Sequence, residues 1–269
     1  MARSGEAIRL VNEQGFLTPQ YSGANPASGP RTLVVGDVHA CGDELEELLD
    51  LAAPGREDRV VFVGDLVDRG PNVRKVFDLA RQCRGEVVMG NHEDKLLRWR
   101  KYNLGARNAR EVQLAPHHRL TVEALRQEDW QQMEAAPRWL KIPAHDALVV
   151  HAGIRPGVAL EEQDPDDLCR LQGIGRTGKR RKWGTPGSIF WASVCDYPGW
   201  VIYGHTHFRG PVRFERTMGI DTGCCFGGKL TALELPGGRL LSVPGRSNYV
   251  EKIYREFYGD RGIRRPQAT

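Results

Sequence analysis

RTLVVGDVHACGDELEELLDLAAPGREDRVVFVGD, residues 31–65, decides the fold class. RTLVV (31–35) is an apolar strand that stops at Gly36-Asp37. DELEELLDLA (43–52) then puts Leu45, Leu48, Leu49 and Ala52 on one face at helical spacing. RVVFV (59–63) is a second continuous apolar strand and stops at Gly64-Asp65. A strand, a short loop, a helix and another strand make the opening unit of an α/β sheet.

The pattern recurs downstream. VRKVFDLARQC (73–83) predicts an amphipathic helix, EVVM (86–89) a strand ending at Gly90-Asn91, and EDKLLRWRKY (93–102) a further helix. Residues 103–142 read as a helical insertion, with LTVEALRQEDWQQMEAAPRWL (120–140) its most periodic part. ALVV (147–150) ends at His151, and WVIYG (200–204) ends at His205. Between them, residues 155–200 lack a period and carry the basic run RTGKRRKW (176–183), which predicts an exposed insertion with a solvated face. From residue 211, VRFER, GIDTGCCFGGKLTALEL and RLLSV alternate with glycine turns and predict a second, partly antiparallel sheet. Residues 1–31, with SGANPASGP, predict an extended lead-in. NYVEKIYREFYGDRG predicts a helix with a frayed end in residues 246–269, which leaves 32–245 as the folded domain.

Composition narrows the function. A chain of 269 residues, 40% hydrophobic and 27% charged, can bury a sizeable core. No stretch approaches 18 apolar residues, so no membrane partner is expected. The start lacks an apolar run of signal-peptide length, which predicts a cytoplasmic location. A net charge of +4 is too mild for a specific nucleic-acid partner and mildly favours anionic substrates. Six cysteines without C-x-x-C spacing read as reduced thiols rather than staples or a zinc finger. No Walker loop and no G-x-G-x-x-G is present.

Polar side chains gather just past the strand ends: Asp37, His39, Asp65, Asp68, Asn91, His92, His151, His205 and His207. In open α/β sheets, ligands bind in the crevice beyond those ends. Carboxylate, imidazole and amide donors together suit manganese, iron, nickel, cobalt or zinc. They are too many for one tetrahedral ion, whereas two ions about 3.5–4 Å apart and joined by one carboxylate use such a set naturally.

The ordered blocks GDVHA (36–40), GDLVDRG (64–70), GNHE (90–93), HAG (151–153) and GHTH (204–207) resemble the signature of the metallophosphoesterases. DRG with GNHE resembles its phosphoprotein phosphatase branch, and IDTGCCFGGKLTAL (220–233) is similar to bacterial diadenosine-tetraphosphatases and their PrpE-type relatives. Over about residues 32–243 the resemblance implies an α/β (α+β) fold, a four-layer αββα sandwich of two mixed sheets with flanking helices. It implies one metal held by Asp37, His39 and Asp65, and a second by Asp65, Asn91, His151 and His205, with manganese first and iron, zinc, nickel or cobalt as further options. Asp37 and His39, two apart on an extended segment, can face one side. The phosphatase branch usually has no histidine at position 207, whereas in the wider family that second histidine ligates the first metal, so His207 reads as a first-metal ligand or as an imidazole that supports a ligand or faces substrate.

His92 corresponds to a general acid, with Asp68 accepting from its ring and keeping it cationic, and Arg69 corresponds to a phosphate clamp; Arg155, in HAGIRP, reads either as a second phosphate contact or as a residue that only caps its loop. Ala40 stands where the family has glycine. The implied reaction is direct attack of a metal-bridging hydroxide on a phosphomonoester, with a Ser/Thr or Tyr phosphoprotein or a small phosphorylated molecule as substrate. Two alternatives stand beside it. One is symmetric cleavage of a bis(5'-nucleosyl)-tetraphosphate, a dinucleoside polyphosphate, into two ADP. The other is a catalytically inactive module that only binds phosphorylated partners.

Overall fold

The computed structural model describes residues 9–10, 30–103 and 112–259. Its first half runs β1 (Arg9–Leu10), β2 (Thr32–Val35), α1 (Gly42–Ala52), β3 (Arg59–Phe62), α2 (Val73–Gln82), β4 (Glu86–Val87), α3 (Asn91–Asn103), α4 (Pro116–Ala124), α5 (Gln127–Ala135), β5 (Trp139–Ile142) and β6 (Ala147–Val150). The second half runs α6 (Pro165–Arg170), β7 (Gly173–Gly175), β8 (Arg180–Arg181), β9 (Ser188–Phe190), β10 (Trp200–Tyr203), β11 (Val212–Phe214), β12 (Thr217–Gly219), β13 (Lys229–Leu235), β14 (Arg239–Pro244) and α7 (Tyr249–Tyr258).

Two mixed sheets result, in the orders β14-β13-β2-β3-β4 and β1-β11-β12-β10-β6-β5. β2, β3 and β4 run parallel in the first, as do β6, β10 and β12 in the second. The period of two along each strand assigns its faces. Leu33 and Val35 meet Leu45 and Leu48 of α1 and Val76 and Phe77 of α2. Val34 and Val61 turn the other way, onto Val149, Ile202 and Met218 of the second sheet. Helix α2 offers a matching stripe, since Val73, Val76, Phe77 and Ala80 are its buried residues. The layers are therefore helices, sheet, sheet and an outer cover, as the sequence implied.

Four local expectations change. The outer cover comes from residues 155–200, the segment expected to be an exposed insertion. Its Leu160, Leu168, Leu171, Phe190 and Trp191 pack on Leu148, Val150, Val201 and Tyr203, while the basic run at 176–182 is exposed throughout. The strands after residue 211 do not form a sheet of their own: β11 and β12 join β10, while β13 pairs antiparallel with β2. Trp139–Ile142, read as the end of a helical insertion, is a strand paired with β6. In the lead-in, Arg9–Leu10 pairs with β11, and the rest of residues 1–29 lies outside the described residues, as does the expected frayed end after 259. Among the described residues, no helix is long and apolar enough to cross a membrane, and all six cysteines are free thiols.

Candidate metal centre

The loops that leave β2, β3, β6 and β10 meet the first turn of α3 at one edge of the two sheets. A glycine ends each of the β2, β3, β4 and β10 runs, and close approach requires it, most tightly at Gly204 and Gly90. A Cβ at Gly204 would stand 1.9 Å from Asp37 Oδ1, and one at Gly90 would stand 2.2 Å from Asp65 Oδ1. His39, Ala40, Asp65, Asp68, Arg69 and His205 all adopt φ between 48° and 71°. Each such residue costs on the order of 1–3 kcal/mol, and the surrounding structure must hold it there. Ala40, the departure from the family's glycine, takes the left-handed conformation anyway at φ 55°. The backbone supplies part of the restraint: His39 N–H donates to Asp65 O at 2.8 Å and Ala40 N–H to Leu66 O at 2.7 Å.

Three imidazoles are oriented by backbone carbonyls. His39 Nδ1–H donates to Val67 O at 3.0 Å and His151 Nδ1–H to Val63 O at 2.9 Å, so each turns a lone pair on Nε2 inward. His205 is held by the Arg170 carbonyl and places Nδ1 2.7 Å from Asn91 Oδ1. His151 Nε2 lies 3.0 Å from that same Asn91 oxygen. Asp65 Oδ2 sits between the two sets, 3.5 Å from His39 Nε2 and 3.5 Å from His151 Nε2. The other carboxylate oxygen of Asp65 accepts the His92 N–H at the start of α3, at 3.0 Å.

Asp65 Oδ2 and Asn91 Oδ1 thus face imidazole lone pairs, an arrangement that a cation satisfies. The donor chemistry fits two divalent ions. Donor atoms within 4.8 Å of one another gather His39, Asp65 and His92 in one group and Asp65, His151 and His205 in another, with Asp65 common to both.

Charge points the same way. Burial pushes the Asp37 carboxyl well above its usual range, and the neighbouring charges of Asp221 and Asp65 add to it. Burial raises Asp65 to about 7. It lowers His151 to about 3 and holds His39 and His205 well below the ordinary imidazole value, so all three are neutral donors. Crowded carboxylates beside neutral imidazoles are what a bound cation relieves.

His92 Nδ1 lies 2.7 Å from Asp68 Oδ2. The expectation that Asp68 keeps His92 cationic is not met. Burial, with the Arg69 charge next, holds His92 well below its usual value, and burial raises Asp68. Both directions favour a pair that is neutral overall, with one shared proton between Oδ2 and Nδ1 and a second N–H left on Nε2.

The remaining expected residues separate. Arg69 Nη1 stands 2.8 Å from His39 Nε2, at the heart of the cluster. Asp37 Oδ2 is 4.0 Å from His39 Nε2, and the segment between the two turns at His39 instead of staying extended. Arg155 is not brought to the cluster's centre. Its guanidinium is taken by buried Asp167 and by the Gly178 carbonyl, so it fastens the loop after β6 to the β7–β8 hairpin. His207 is not gathered with the donors either: it is exposed and stacks on Phe226.

Three residues of the site went unread in the sequence. Glu93 is fully buried and holds the Asp65 loop. Asp221 hydrogen-bonds to Asp37, and the IDTG block was the only signal for it. His118, from α4, lies 3.5 Å from Asp68 Oδ2 and 3.0 Å from Lys95 Nζ, and no local pattern marks it.

Comparison with known proteins agrees with this geometry. Residues 30–209 match the calcineurin-like phosphoesterase family. The PrpE bis(5'-nucleosyl)-tetraphosphatase [asymmetrical] of Halalkalibacterium halodurans is 35% identical over 246 residues, which cover 84% of this chain and 98% of the relative. The protein of the same description from Bacillus subtilis is 32% identical over 240 residues, covering 82% and 98%. A crystal structure assigned as a diadenosine tetraphosphatase superposes with a TM-score of 0.69 at 30% identity, over 82% of this chain and 96% of that one. With donors, order of blocks and fold in agreement, the chain belongs to the calcineurin-like phosphoesterases and is a hydrolase of that family.

Proposed function

We propose that this protein is a dinuclear phosphoesterase that cleaves dinucleoside tetraphosphates asymmetrically, into a nucleoside triphosphate and a nucleoside monophosphate. The single observation that carries the dinuclear reading is the placement of Asp65 Oδ2 midway between His39 Nε2 and His151 Nε2. The substrate follows from the relatives, whose descriptions name an asymmetrical tetraphosphatase over nearly their whole length. That product pattern replaces the two ADP expected of symmetric cleavage.

In this reading Asp37, His39 and Asp65 hold one cation and Asp65, Asn91, His151 and His205 the other, manganese being the first to test. When bound, two such ions act as Lewis acids and lower the pKa of water from 15.7 towards about 7. Arg69 exchanges its contact with His39 for the phosphoryl oxygens, which its planar fork can take two at a time. His92 donates its Nε2 proton to the leaving oxygen, and the proton shared with Asp68 moves onto Nδ1 in compensation. Burial of the dyad keeps this relay out of water.

The test is a parallel assay of manganese-loaded protein with diadenosine tetraphosphate, a Ser/Thr phosphopeptide, a Tyr phosphopeptide and a small phosphomonoester. ATP with AMP supports the proposal, and two ADP overturns its asymmetry. A higher kcat/KM for a phosphopeptide would make the protein a phosphoprotein phosphatase instead. Full metal loading with no turnover of any substrate would leave only the phospho-binding module.

A further inference from the structure

We propose that Lys95 and His118 are positioning residues behind the His92–Asp68 pair: His118 holds the Lys95 ammonium beside Asp68, where its charge offsets the one that the pair acquires as His92 gives up a proton. The inference rests on the general-acid role given to His92 above. It starts from an inverted helix. Leu120 of α4 is 49% exposed, whereas His118 and Thr121 are the buried residues of that helix. Burying an imidazole and a hydroxyl in place of a leucine is costly unless polar partners meet them. Both meet Asp68. His118 Nε2 lies 3.5 Å from Asp68 Oδ2, and the Thr121 side chain hydrogen-bonds to the same carboxyl.

Lys95 approaches from α3. It follows His92 by three residues, so the two share a helix face, and its Nζ lies 3.0 Å from His118 Nε2. An ammonium can only donate, so Nε2 accepts and the ring proton sits on Nδ1. The His117 ring packs on that of His118, with centroids 4.1 Å apart, and holds it in place. One ring nitrogen thus stands between the ammonium and the carboxyl, and the carboxyl lies 2.7 Å from His92 Nδ1. Burial raises the Asp68 carboxyl, and the groups that oppose it are His118, Thr121, His117 and Lys95. The pair is neutral before reaction, and passing the His92 Nε2 proton to the leaving oxygen makes it anionic. A fixed ammonium favours that anionic state without touching substrate. A unit charge acting over ~6 Å at an effective dielectric constant of about 20 amounts to a rate effect of about 100-fold, and for a partly transferred proton to about 10-fold.

The experiment measures kcat, KM and metal content of manganese-loaded wild type, Lys95→Met, Lys95→Arg, His118→Phe and His118→Gln. Each is assayed on a simple alkyl phosphate and on an activated aryl phosphate, whose leaving oxygen needs no proton. Lys95→Met and His118→Phe should lower kcat on the alkyl ester by about 10- to 100-fold, with KM and metal content held and a smaller loss on the aryl ester. Lys95→Arg keeps the charge and His118→Gln keeps an acceptor for it, so both should recover most of the loss. In a His92→Ala background, Lys95→Met should cost nothing further, because the pair it acts through is gone. Unchanged kcat in Lys95→Met, equal losses on the two esters, or the same loss without His92 overturns the proposal. Loss of an ion from His118→Phe overturns it too, and makes a metal site of Asp68, His92 and His118, whose donor atoms lie within 4.8 Å of one another. If His92→Ala itself loses equally on both esters, the general acid falls and takes these roles with it. If the split appears in His92→Ala but not in Lys95→Met, the general acid stands and only the present proposal falls.

Discussion

Glu93 holds the backbone of Asp65, its Oε2 accepting the Asp65 N–H at 2.9 Å. Its Oε1 takes the next two N–H groups, of Leu66 at 2.7 Å and Val67 at 3.2 Å. One side chain thus satisfies three buried donors in the turn where Asp65 adopts φ 52°, and this sets the shared carboxylate in place. The carboxyl itself is raised to about 8, by burial first and then by the charge of Asp65.

Glu93→Ala should therefore weaken both folding and metal binding. An unsatisfied buried donor costs about 1–3 kcal/mol, so the loss of three should exceed about 3 kcal/mol in a urea melt. Metal affinity should fall by about 10- to 100-fold in a titration, as for other lost supports of a ligand. Glu93→Gln, which keeps one acceptor oxygen, should lie between. An unchanged melt for Glu93→Ala would show that the turn holds itself.

Asp65→Ala removes the one oxygen that both donor sets share. Elemental analysis should find fewer than two ions per chain. Turnover should drop beyond the ~10²–10³ typical of losing a single electrostatic stabiliser, since both sets lose a donor at once. Chelation of wild type should reproduce that loss, and added manganese should reverse it. Two ions retained in an active Asp65→Ala protein would dismiss the shared-carboxylate arrangement.

His92→Ala separates proton transfer from metal binding. Metal content should hold, while kcat falls by about 10²- to 10⁴-fold on substrates with a poor leaving group. The loss should shrink on an activated aryl phosphate, whose leaving oxygen needs no proton. A variant that loses its metals would place His92 among the ligands, beside His39 and Asp65 in the same donor group.

The donor residues at the strand ends, with Asp68 beside His92, were legible in the sequence, whereas Glu93 and His118 were not. Asp37, Asp65, Asn91, His151 and His205 each follow an apolar strand, and the parallel order brings those strand ends together. Glu93 lies inside one of the same blocks, yet nothing in its spacing announces that it serves the backbone 27 residues earlier. His118 comes to Asp68 only because α4 packs where it does. The β5 strand was hidden for a similar reason. Trp139 and Leu140 extend the apolar set of a helical window, and pairing with Val150 and Val149 makes them a strand. Antiparallel pairing of β13 with β2, which splits the late strands between two sheets, joins segments about 200 residues apart and leaves no local trace.

Asp58 supplies a pH test of the frame that carries the site. Its carboxylate accepts from Arg31 N at 2.8 Å, Arg31 Nη2 at 2.6 Å and Gly55 N at 2.8 Å, tying the start of β2 to the start of β3. Burial opposes ionisation, but the hydrogen bonds from Arg31 and Gly55 outweigh it and hold the group below the usual carboxylate range. A depressed folded value means that the stabilisation is complete above the unfolded value of about 3.9 and is lost as pH falls through the folded one. Asp58→Asn should cost about 1.5–3 kcal/mol at pH 7, the worth of hydrogen bonds to a charged group. The same variant should lose less further stability than wild type between pH 5 and pH 2. Urea midpoints at a series of pH values would show it as two curves converging in acid, and parallel curves would mean that Asp58 titrates alike in the folded and unfolded chains.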